Sequence, residues 1–136
     1  MPLDPATLRN RLLQSLPASV LELLQPLMRR VDLPFGEIVT RPGVPIDNVY
    51  FPESGWISLV VSLEGGDATE VGMVGQEGMV GVPLVFGVDR SVQEAMVQSA
   101  GQGLVMEAGA FRRAVGDNTA LRDLLLRYAF AFNTQL

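Results

Sequence analysis

GQEGMVGVPLVFGVDRS, residues 75–91, is an apolar run broken by glycine at positions 75, 78, 81 and 87 and closed by the pair Arg90-Ser91. Glycine reaches φ > 0 and lets backbone N–H groups approach a ligand closely. Glycine followed by a short helical turn can therefore form an anion-binding concavity. Arg90 offers a phosphate a forked, charge-assisted pair, and Ser91 adds a hydroxyl donor. The alternative is that the glycines are turns and Arg90 is a solvated loop charge.

Outside this stretch the texture is that of short strands. From Gly55 to Leu63, residues Ile57, Leu59, Val61 and Leu63 fall on one side, while Ser58 and Ser62 share the other with Trp56 and Val60. Gly65-Gly66 is a two-residue hairpin turn, and Ala68 to Val74 returns antiparallel with Val71 and Met73 on the core side. Gly36 and Pro42-Gly43 bracket a strand from Glu37 to Thr40, and Val49 to Phe51 make another, stopped by Pro52. Downstream, Val92 to Ser99 and Gly103 to Glu107 supply two more. About eight such strands predict a mainly β fold: an antiparallel, jelly-roll-like β-roll (a double-stranded β-helix) over residues 31–107.

Helices flank it. Asp4-Pro5 reads as an N-cap followed by proline at the first helical position, and Leu8, Leu12, Leu13 and Leu16 recur at helical spacing. Leu16-Pro17 starts a second helix, which Pro26 breaks or kinks after about two turns. Residues 1–30 thus form a helical N-terminal segment. Residues 108–136 are helical again, with Gly116 ending one piece and Asp117 or Asn118 capping the next. In that last helix Leu121, Leu124, Leu125, Tyr128, Phe132 and Leu136 form one stripe, and Leu126 and Phe130 begin a second. One face covers the barrel and the other is left for a partner; burial of both within the chain is the alternative.

With 136 residues, 48% hydrophobic and 18% charged, there is room for one globular domain. The absence of cysteine and histidine removes disulfides, thiolate metal sites, the commonest general base and the commonest metal ligand. Metal-dependent barrel enzymes and histidine-assisted serine nucleophiles are excluded with them. Asp67/Glu70 and Glu77/Asp89 are the carboxylate pairs left for catalysis, and carboxylates on turns read as solvated. No catalytic residue, metal or enzyme activity is expected. All ten basic residues are Arg and the net charge is −5, which makes the chain a poor nucleic-acid binder by itself. Neither a signal pattern nor a bilayer-length apolar run is present, so the expectation is a cytoplasmic protein with no membrane contact.

Taken in order, Phe35-Gly36-Glu37, Pro42-Gly43, Asp47-Asn48-Val49-Tyr50-Phe51 with Gly55, and Gly75…Gly81…Arg90-Ser91 resemble the cyclic-nucleotide-binding β-roll. In particular the series is similar to the effector domain of the Crp–Fnr superfamily of bacterial transcription regulators. The resemblance implies an effector-sensing domain with ligand-binding residues Gly81, Val82, Arg90 and Ser91. It also implies a homodimer formed by the terminal helix, through Leu125, Tyr128, Phe132 and Leu136. DNA contact would come only from a C-terminal helix-turn-helix that these residues do not include, and an end inside a helix points to a truncated piece rather than a stand-alone domain.

One departure bears on the ligand. In the family's cyclic-nucleotide binders a Gly-Glu pair opens the phosphate cassette, and the Glu grips the ribose 2′-hydroxyl. Here Gly81-Val82 stands in that place and Pro83 follows. Val82 accepts no hydrogen bond and Pro83 has no N–H. A degenerate pocket is therefore expected, with no cofactor, cyclic nucleotide disfavoured, and an unidentified small or anionic effector in its place. A genuine cyclic AMP or cyclic GMP receptor, resting on Gly81, Arg90 and Ser91, is the alternative; a dimerisation scaffold without ligand is the third reading.

Overall fold

The computed structural model describes residues 7–135, with side chains as far as Phe132. Asp4-Pro5 and Leu136 lie outside the described residues. The chain enters on α1 (Arg11–Gln14), one turn capped by the buried Asn10. Asn10 Oδ1 accepts from the Leu13 amide at 3.0 Å, while its Nδ2 donates to the carbonyls of Pro52 at 2.8 Å and Gly78 at 2.9 Å. One side chain thus caps a helix and ties it to two segments of the barrel. Helix α2 (Ala18–Leu24) follows Pro17, and Pro26 turns its continuation into a single 3-10 turn, as its missing N–H requires.

The strands are β1 (Met28–Leu33), β2 (Ile38–Thr40), β3 (Asn48–Pro52), β4 (Trp56–Ser62), β5 (Ala68–Val74), β6 (Glu94–Ser99) and β7 (Gly101–Glu107). Every pairing is antiparallel, in a three-stranded sheet ordered β1-β7-β3 and a four-stranded sheet ordered β2-β6-β4-β5. This is the expected β-roll, begun at Met28 rather than Val31 and built, among the described residues, from seven strands rather than about eight. The first sheet is buried on both faces. Val49, Phe51, Leu104 and Met106 meet the helices, whereas Val31, Leu33 and Tyr50 turn into the roll toward Ile57, Leu59, Val74, Ala95 and Val97.

One strand reads differently from its alternation. Leu59 pairs with Gly72 but Val60 pairs with Glu70, so Val71 is an extra residue on β5. The insertion changes the parity of inward positions: Val74 becomes buried, and Met73, expected in the core, is 54% exposed.

After β7 come α3 (Ala108–Asp117) and α4 (Thr119–Gln135), the latter capped by Asn118, whose Oδ1 accepts from the Leu121 amide at 2.9 Å. Here Leu125 drops out of the expected dimer face. Leu125 is 1% exposed and belongs to the core formed by the helices and the first sheet. Tyr128 and Phe132 also turn toward the barrel, the hydroxyl of Tyr128 meeting the Met79 amide and Phe132 packing on the interior of the roll. A helix laid on a barrel buries its broader apolar stripe, and the broader stripe is the one read from sequence as partner-facing. The outward side carries Phe130, 72% exposed; Leu126, one turn before it, is half-buried and also packs against the helical core.

Candidate ligand-binding site

The glycine-rich stretch folds as a 3-10 turn, Val82–Phe86, held between two left-handed glycines, Gly81 (φ 118) and Gly87 (φ 78). A Cβ on Gly81 would overlap Val49 Cγ1 of β3, so backbone conformation and space both require glycine there. Leu84 N donates to the Gly81 carbonyl at 3.1 Å, Gly87 N to Leu84 at 3.2 Å, and Val88 N to Pro83 at 3.0 Å. Pro83 fits this turn because a missing N–H costs nothing in its opening residues. Leu84 and Val85 anchor the turn in the helical core.

On its other side Val82, Pro83 and Phe86 line a cavity of about 450 Å³. Leu59 of β4, Ala95 of β6, Thr40 of β2 and Phe132 of α4 complete the wall. The rim is a short ladder, in which Gly43 N donates to Ser91 O at 3.0 Å and Ile46 N donates to Asp89 O at 2.8 Å.

All four ligand residues expected from the sequence line this one cavity. Gly81 and Val82 form the turn. Arg90 sits at the rim with its side chain 56% exposed; Nη1 donates to the Gly43 carbonyl at 2.9 Å, and Nε lies 3.7 Å from Asp89. A guanidinium has five N–H groups, so most of its donors remain free for an anion. Ser91 Oγ accepts from the Gln93 amide at 2.9 Å, which leaves its own proton to donate. Among the described residues no carboxylate lines the cavity, and Val82 stands where the resemblance implies a Glu.

Among the wall residues that escaped the sequence reading, two stand out. Thr40 is 8% exposed and its hydroxyl has no hydrogen-bond partner among the described residues. The register of β2 on β6 shifts between Ile38 and Thr40, setting Thr40 opposite the inward-facing Ala95. A hydroxyl ending the apolar strand Ile38–Thr40 was the available signal, but only the shift turns it inward. Phe132 is the other, read from sequence as a dimer contact. Of the carboxylates weighed for catalysis, Glu77 accepts from the Gly75 amide at 3.2 Å, Asp89 neighbours Arg90, and Asp67 and Glu70 are exposed.

Behind the turn, the Tyr128 hydroxyl accepts from the Met79 amide at 3.2 Å. Burial pushes its ionisation above the usual 10.0; the Met79 N–H works against that rise and the Glu77 charge adds to it.

Residues 30–118 match the family model of the cyclic nucleotide-binding domain, and the chain belongs to that family. No curated protein matches it significantly. Among solved structures it is similar to the regulatory subunit of a cAMP-independent protein kinase A from Trypanosoma brucei, at 17% identity and a TM-score of 0.74 over 88% of this chain and 43% of that one. The chain thus spans under half of that subunit. It is also similar to the sensor domain of the transcriptional regulator DNR from Pseudomonas aeruginosa, at 22% identity and a TM-score of 0.69 over 88% of this chain and 81% of that one. A third likeness is the N-terminal domain of a transcriptional regulator from Streptomyces coelicolor, at 20% identity and a TM-score of 0.66 over 97% and 92% of the two chains. At such identities the likeness is one of fold. Among the described residues, no helix is long and apolar enough to cross a membrane.

Proposed function

We propose that this chain is the non-catalytic effector-sensing domain of a Crp–Fnr-like bacterial transcription regulator, working in the cytoplasm as a homodimer. The observation that carries the reading is that the glycine turn and Phe132 of α4 wall the same cavity. An occupant therefore touches the helix on which a partner subunit would pack, and differential contact with α4 in two positions is what a ligand needs to shift a conformational equilibrium. The dimer contact we propose is the outward side of α4, with Phe130 and Leu126. DNA reading in such a regulator belongs to a helix-turn-helix, not to this acidic domain.

The pocket is proposed to be degenerate toward cyclic nucleotides. A ribose hydroxyl buried beside Val82 loses its acceptor, at a cost of about 1–3 kcal/mol. That loss is about tenfold to a hundredfold in affinity. The second reading, a true cyclic-nucleotide receptor, is favoured by Arg90 and Ser91 lying together on the cavity wall. Calorimetric titration with cyclic AMP and cyclic GMP separates the two. The unmodified chain should bind both weakly or not at all, and Val82→Glu should gain affinity. Micromolar binding by the unmodified chain, abolished in Arg90→Ala, would establish the receptor reading instead.

A further inference from the structure

We infer that the cavity takes a small, mostly apolar acid whose oxygens are held by the buried Thr40 hydroxyl and the rim guanidinium of Arg90. The inference rests on the sensing role proposed above and names the chemical class of the ligand. The wall selects the body. Ile46, Leu59, Val82 and Phe132 present carbon surface only, and a cavity of about 450 Å³ is within the ordinary range for a small organic molecule. A polyhydroxylated ligand would leave several hydroxyls unpaired against such a wall, each with a desolvation penalty.

Charge selects the head. Arg90 is the charged residue of the lining, and no carboxylate accompanies it on the wall. A cation finds no opposite charge on the wall, whereas a carboxylate can take the donors that Arg90 has left after its bond to Gly43 and its approach to Asp89 at 3.7 Å.

Thr40 supplies the second contact. Its hydroxyl is enclosed and lacks a partner among the described residues, and Thr40 is one of the residues that line the cavity. A buried polar group left unpaired destabilises a fold relative to an apolar group of the same shape. Valine at position 40 would therefore suit the ligand-free domain better than threonine. The hydroxyl is satisfied once a ligand oxygen reaches it.

The test uses the whole chain with octanoate and phenylpropanoate, their neutral amides octanamide and phenylpropanamide, and cyclic AMP as a parallel ligand. Binding is read by calorimetry and by the amide resonances of Gly81–Ser91. At least one acid should bind, and its amide should bind about tenfold more weakly, as should the acid to Arg90→Ala. Thr40→Val should raise the melting temperature of the free chain while weakening the acid by about tenfold. A merely structural Thr40 would show lower stability and unchanged affinity in that variant, and this result overturns its assignment. Cyclic AMP bound while both acids fail overturns the ligand class and leaves the sensing role standing. Failure of every probe to move the Gly81–Ser91 resonances overturns both.

Discussion

The hydroxyl of Tyr128 on α4 accepts a hydrogen bond from the backbone amide of Met79 at 3.2 Å, directly behind the turn that walls the cavity. The same hydroxyl lies where a Cβ on Gly78 would stand, so the approach of helix to loop depends on glycine at that position. Asn10 reaches the same loop from the other side through the Gly78 carbonyl. The glycine stretch is therefore tied to both the N-terminal segment and the last helix, and a shift of α4 reaches the cavity through this contact as well as through Phe132.

Removing either half of that contact should loosen it. Tyr128→Phe leaves the Met79 amide without its acceptor and should cost about 1–2 kcal/mol in urea unfolding. Gly78→Ala should cost more, because the added methyl overlaps the hydroxyl oxygen. Full stability in Gly78→Ala would show that helix and loop can separate freely.

The proposed dimer contact is tested by two glutamates on one helix. Phe130→Glu should give a folded monomer, since Phe130 is 72% exposed. Leu125→Glu should abolish folding instead, because a charge would be placed among Leu121, Phe111 and the other core side chains. Molar mass by light scattering, with circular dichroism for folding, reads both. A dimer that survives Phe130→Glu would rule out this face.

Stability should decline above about pH 10. Tyr128 and Tyr50 both ionise above 10.0 in the folded chain, chiefly through burial, with Glu37 adding to the rise at Tyr50. In the unfolded chain they ionise near 10.0, so their contribution is complete below that value. It is lost as pH rises through the folded values, because only the unfolded state then releases its protons readily. Denaturation midpoints measured across this window should fall less steeply in Tyr128→Phe; an identical slope would locate the effect elsewhere.

The buried Glu53 carboxylate holds the beginning of the chain to the first sheet. It accepts from Arg30 Nε at 2.9 Å and from the Arg9 amide at 2.6 Å, with Arg30 Nη2 at 2.7 Å. Arg30→Ala leaves that carboxylate short of donors and should cost about 2–3 kcal/mol, the scale of a charged hydrogen bond lost at a buried group. Glu53→Gln should cost less, since an amide oxygen can still accept one of these bonds. Equal effects in the two variants would mean that the hydrogen bond retained by Gln contributes nothing and that charge pairing accounts for the whole interaction.

Element type was legible in the sequence because it depends on near neighbours. The period-two run from Ile57, Pro26 and the Asn118 cap each act over a few residues, and each appears in the fold where its chemistry places it. The Gly65-Gly66 turn closes its hairpin as part of a three-residue loop with Glu64 rather than as a two-residue turn, since Leu63 N donates to Asp67 O. The candidate site was half legible for the same reason: Gly81, Val82, Arg90 and Ser91 lie within one short stretch, and the turn between glycines brings them to one wall. Tertiary structure decided the rest. Thr40 and Phe132 come to that wall from strands and helices distant in sequence, and no local pattern says which way either side chain turns. The shifts of register at Thr40 and Val71 set which residues face inward, and they arise from pairing with another strand. The choice between the two stripes of α4 was likewise made by the barrel, which takes the side that buries more apolar surface and leaves Phe130 in water.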